Sequence, residues 1–147
     1  MLKNRTEIAA MIPHGEAMCL LDGVIFWDAN RIRCVSRTHR DERNPMRTGG
    51  QLRAMCGIEY AAQAMAVHGR LAGSVAARPQ LGYMASLRDV VCNEDRLDDL
   101  EGDLVVDAER LMGEETRVLY RFNVRVGNTE VLSGRAAVVL DAEQSGR

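Results

Sequence analysis

Glu59 is the lone carboxylate of Gln51 to Gly69, a run whose apolar spacing predicts one helix. Leu52, Met55, Ile58, Ala62 and Met65 supply one stripe, while Ala54, Ala61, Ala64 and Val67 keep the other faces apolar and small. A helix without a polar face is wrapped by other structure rather than laid on a surface. Glu59 is expected about two turns into that helix, past the reach of its dipole, and no basic residue lies three or four positions away. Burial without a counterion favours the neutral carboxyl, the form that serves as a general acid. Gln63, one turn on and on the same face, is placed to orient such a site or to satisfy backbone groups in the core.

A general acid needs a base, and the chain offers three histidines. His68 lies nine residues after Glu59, on the opposite side of the predicted helix, and reads as a cation or cap at its C-terminus. His14 follows Pro13 and reads as a holder of the N-terminal turn. His39 ends a predicted strand and enters the loop before the helix, which makes it the candidate base. Cys19, Cys34, Cys56 and Cys92 lack metal-ligand or CxxC spacing and read as small buried hydrophobes. There is no phosphate-binding glycine loop and no nucleophile elbow, so no metal, nicotinamide or flavin is implied.

The elements that position these residues follow from period and punctuation. Glu7 to Ile12 predicts a short helical turn stopped by Pro13. Leu20 to Trp27 and Arg31 to Thr38 predict a hairpin across Asp28-Ala29-Asn30, and His39 to Gly50 predicts a loop. After the helix come Leu81 to Cys92, interrupted near Ala85-Ser86, then Leu104 to Met112, Thr116 to Val126 and Thr129 to Asp141. Thr116 to Val126 alternates cleanly, and Gly127-Asn128 supplies a two-residue hairpin turn. One apolar helix against such strands predicts an α+β fold with the antiparallel sheet curled round the helix.

With 147 residues the chain fits one domain, its core running from about residue 8 to residue 141. A net charge of −2 opposes a general nucleic-acid binder, and the longest apolar run falls short of a membrane span. The first residues lack the apolar core of a signal peptide, which predicts a cytoplasmic protein. Lys3 is the only lysine, and seven arginines lie between Arg31 and Arg53 against Asp41 and Glu42. That stretch is either a solvated face or a dock for an acidic partner. Asn93 to Asp103 reads as a solvated acidic loop.

Several of these residues together resemble the hotdog-fold 3-hydroxyacyl-[acyl-carrier-protein] dehydratases. Ile12-Pro13-His14 followed by Met18-Cys19-Leu20-Leu21-Asp22 is similar to that family's opening, and Gly57-Ile58-Glu59-Tyr60-Ala61-Ala62-Gln63 to its central-helix signature, with Tyr60 replacing an alanine. Asn44-Pro45 and Arg96-Leu97-Asp98-Asp99-Leu100 resemble a divergent branch found beside aryl-polyene and xanthomonadin-type pigment genes. The resemblance implies elimination of water from a 3-hydroxyacyl chain on the phosphopantetheine arm of acyl carrier protein, in a homodimer or larger assembly. It further implies Glu59 as acid, a histidine as base, and backbone N–H groups near Cys56 and Gly57 holding the thioester oxygen. Gln63 and Asn44 complete the implied substrate-binding set. The family's His-Phe-Pro-Gly loop is absent, Asn44-Pro45-Met46-Arg47 standing in its place, and Asn44 cannot accept a proton. A thioester hydrolase of the same fold and a non-catalytic acyl-binding or partner-completing subunit therefore stand as alternatives.

Overall fold

Alternating apolar and polar side chains build most of the sheet. In β6 (Arg117–Val126) the buried side chains are Val118, Tyr120, Phe122 and Val124, while Arg117 and Arg121 point outward. The structure is a computed structural model describing residues 1–12, 15–72, 81–113 and 117–141. His14 lies outside the described residues. Seven strands, β1 (Lys3–Asn4), β2 (Gly23–Trp27), β3 (Arg31–Ser36), β4 (Leu81–Cys92), β5 (Leu104–Gly113), β6 and β7 (Thr129–Asp141), form one sheet in the order β1-β2-β3-β5-β6-β7-β4. Every pairing is antiparallel. This is the hotdog arrangement, a curled sheet on one long helix.

The interruption expected near Ala85-Ser86 is a register shift between Met84 and Ser86 in β4. A second shift, between Arg88 and Val91, is accompanied by Asp89 at φ 55°, a conformation that asparagine and aspartate tolerate better than bulkier residues. The turn between β6 and β7 has Gly127 at φ 57°, which a tight hairpin requires. Sequence reading missed β1, too short to carry a period. The N-terminal turn is α1 (Arg5–Ala9), closed by a capping box between Asn4 and Glu7.

The central helix differs from expectation at both ends. The α-helix proper, α2, runs Gly57–Ala72, preceded by a tight 3₁₀ turn at Ala54–Cys56. Residues 48–53 are instead held by two bridges, Thr48 with Gln51 and Arg53 with Arg96. Composition alone could not show this, because Leu52 and Ala54 are as buried as any helix residue. Tyr60, Ala61, Ala64, Met65 and Val67 pack into the core with β3, β5 and β6. No helix among the described residues is long and apolar enough to cross a membrane.

Candidate active site

Four backbone and side-chain contacts fix where the central helix begins. The Leu97 N–H donates to the Leu52 carbonyl at 2.8 Å, and the Ala54 N–H to the Asp95 carbonyl at 3.0 Å. The Asp98 carboxylate accepts the Leu52 N–H at 2.9 Å and is held by the Arg96 guanidinium. Arg96, and then the Leu52 N–H, keep the Asp98 carboxyl well below the usual carboxylate range. Leu97 is fully buried. The segment read as a solvated acidic loop is thus a clasp on the helix entrance, and its exposed acids are only its rim. At the helix start Gly57 lies so close to β7 that a Cβ there would sit 2.9 Å from Leu132 Cδ2.

This late start moves Glu59 into the first turn of α2, where the partial charge of the helix N-terminus acts. The reasoning that left Glu59 without local electrostatic support does not hold in the structure. Nor is the helix wrapped on every side. Met55 is 51% exposed, and Ile58, Glu59, Ala62 and Ala66 are only partly covered, so one face of the helix is open. Glu59 stands on that open face without a hydrogen bond or ion pair among the described residues. Cys56 lies one turn before it; burial pushes its thiol pKa up, and the Glu59 charge adds to the effect.

Asn44 and Gln63 are both engaged with backbone. Asn44 Nδ2 donates to the Thr38 carbonyl at 2.9 Å and to the Tyr60 hydroxyl at 3.0 Å, while its Oδ1 accepts the Met46 N–H at 2.8 Å. Gln63 Oε1 accepts the Leu20 N–H at 2.9 Å, and Nε2 donates to the Met18 carbonyl at 2.8 Å. Tyr60, which sequence reading passed over, is the hub: its hydroxyl also meets Thr38 Oγ1 at 2.7 Å, and burial pushes its pKa up to about 12. Its replacement of an alanine in the helix signature was the available signal. A fully buried phenol needs hydrogen-bond partners, and Thr38 and Asn44 supply them. A cleft of about 290 Å³, lined in part by Arg5, Leu20, Thr38, Asn44 and Pro45, opens beside this network.

No hydrogen bond among the described residues joins His39 to Glu59. His39 is fully buried, with Nε2 at 3.0 Å from the Leu100 carbonyl and Nδ1 unpartnered. Desolvation lowers its pKa, opposed by the Leu100 carbonyl. His68 is no exposed C-terminal cation either. Its Nδ1 meets the Tyr120 hydroxyl at 2.7 Å and its Nε2 the Asp28 carbonyl at 2.9 Å, which ties the helix end to β6 and to the β2–β3 turn. Burial lowers its pKa as well. The arginines of residues 31–53 divide rather than converge. Arg31 and Arg33 leave β3 toward solvent, Arg37, Arg40 and Arg43 lie exposed along the next loop, and Arg47 binds the Gly50 and His39 carbonyls.

Comparison with known proteins agrees with this fold. The chain is similar to a chain of the dehydratase heterocomplex ApeI:P from Xenorhabdus doucetiae, at 22% identity over 93% of this chain and 92% of that one, with a TM-score of 0.78. It is also similar to a thioesterase from Haemophilus influenzae, at 10% identity over 95% and 92% of the two chains and a TM-score of 0.67. A thioesterase from Pseudomonas aeruginosa aligns at 10% identity over 95% of each chain, with a TM-score of 0.68. No curated protein sequence matches the chain. At these identities the structures show the fold, and the family model adds the rest. It covers residues 6–145 and describes the ApeP dehydratase, so the chain belongs to the ApeP-like dehydratase family.

Proposed function

We propose that this chain takes part in dehydrating 3-hydroxyacyl thioesters presented on the phosphopantetheine arm of an acyl carrier protein, with Glu59 as general acid. The observation that carries this is the position of Glu59 on the open face of the central helix, without a hydrogen-bond or ion-pair partner among the described residues. In the reaction a base takes the C2 proton, the freed pair becomes the C2–C3 double bond, and the C3 hydroxyl leaves as water with the proton from Glu59. Backbone N–H groups around Cys56 and Gly57, at the positive end of the helix, would hold the thioester oxygen as charge develops on it.

The base is the open half of this reading. For His39 to serve, the clasp that carries Leu100 would have to release its ring. The geometry favours a base from a second hotdog subunit. The open helix face and the free edge of β4, which exposes Leu87 and Val91, give that subunit a place to sit. Among the described residues a homodimer would present the same buried His39 and His68 twice, so a different chain suits the chemistry better. The relative that forms the ApeI:P heterocomplex is in line with this.

Incubation with a 3-hydroxyacyl thioester, following enoyl absorbance and free thiol together, tests the proposal. The enoyl product should form, and Glu59→Gln should slow it by about 10² or more. If the chain alone is silent, the assay is repeated after adding a partner subunit of the kind present in the ApeI:P heterocomplex. Thiol release without enoyl would make the protein a hydrolase, and silence in both formats would make it an acyl-binding subunit.

A further inference from the structure

Strand register assembles a charged row that the linear sequence does not contain. On the outer face of the sheet Arg31 lies opposite Glu109, Glu109 opposite Arg121, Arg121 opposite Arg135, and Arg135 opposite Arg88. Directly opposed residues project to the same side, and the four arginines are exposed. The row crosses five strands, about 19 Å at the usual strand spacing of about 4.8 Å. Two of its four contacts set arginine against arginine, an arrangement that weakens a sheet.

The row's ion pairs lie inside it, and neither end forms one among the described residues. Glu109 approaches Arg121 at 3.5 Å, and Asp89 accepts from Arg135 Nε at 3.1 Å. Arg31 and Arg88 have no carboxylate partner among the described residues. The Arg31 guanidinium instead lies 6.0 Å from the centre of the Phe26 ring, which is 42% exposed. The row is not a local sample of a basic protein, because the chain as a whole carries −2. Arginine offers a fork matched to carboxylates, and arginine beside an exposed aromatic ring is a composition enriched in protein interfaces.

We propose that this outer face docks an acidic protein segment, its carboxylates spaced along the row and an apolar side chain set against Phe26. The surface lies on the opposite side of the sheet from the central helix and Glu59, so it is independent of the candidate active site.

The probe is a fluorescent helical peptide of about fourteen residues, long enough at about 1.5 Å per residue to span the row, with glutamates along one face and a leucine at one end. It should bind the full chain at low salt and weaken as salt rises. The pair Arg31→Glu with Arg88→Glu leaves the row's ion pairs intact and should weaken binding about tenfold or more. Arg37→Glu with Arg43→Glu, equal in charge change but off the row, should not, and Phe26→Ala should weaken it in part. No binding, or an equal loss in the off-row pair, overturns the proposal. So does tighter binding of a single-stranded oligonucleotide of equal charge, or of phosphatidylglycerol vesicles, since the surface would then be a general anion face.

Discussion

At the scale of single residues, Asn44 and Tyr60 interpret each other. Tyr60 places a phenol in the core, and Asn44 brings a donor to it while pinning the Thr38 carbonyl and the Met46 N–H. Together they hold the loop of residues 38–46 against the helix beside Glu59. Tyr60→Phe should cost about 1–2 kcal/mol, and Asn44→Ala more, because it also leaves the Met46 N–H and Thr38 carbonyl without their partner. Denaturant midpoints measure both, and the double variant should cost less than the sum because the pair shares a bond. An Asn44→Ala protein as stable as the parent would remove Asn44 from this clamp and return it to the substrate-binding set.

Among the elements, the clasp at residues 93–103 sets the register at which the helix begins. Its work rests on Asp98, whose carboxylate joins Arg96 to the Leu52 N–H. Asp98→Ala should destabilise the fold by about 1–3 kcal/mol, read as a lower thermal midpoint. Enoyl formation should fall further than stability explains, because the first turn carrying Glu59 loses its anchor. A variant equally active and equally stable would show that the backbone bonds of Leu97 and Ala54 suffice alone.

For the whole molecule, stability should depend on pH through two buried imidazoles. In the folded chain the pKa values of His39 and His68 are lowered, chiefly by desolvation. Below the ordinary histidine value of about 6.5 the unfolded chain therefore takes up protons that the folded chain does not. Stability is fully present above that value and is lost as pH falls toward the folded values. Asp98, held low by Arg96, adds a second loss below the ordinary aspartate value of about 3.9. Thermal midpoints should decline between about pH 7.5 and about pH 5, on either side of the histidine value, and His68→Gln should flatten the decline. A flat profile in the parent would mean that both rings accept protons where they are.

The sequence by itself determined the kind of protein. Clean alternation in Thr116 to Val126, the Gly127-Asn128 turn and the apolar helix around Glu59 sufficed for a sheet curled on a helix, because period and turn chemistry are local properties. The helix signature and the opening motif pointed to a dehydratase family for the same reason. What the tertiary structure decided was every relation between distant segments. The helix begins at Gly57 because residues 95–98 hold 52–54, so Glu59 belongs to the first turn. His39 turns to Leu100 and not to Glu59, and His68 turns inward to Tyr120 and Asp28. Arg31, Arg88, Arg121 and Arg135 become neighbours only through strand register. Such contacts depend on which hydrogen bonds remain to be satisfied once the core has closed, and no local pattern of residues encodes that.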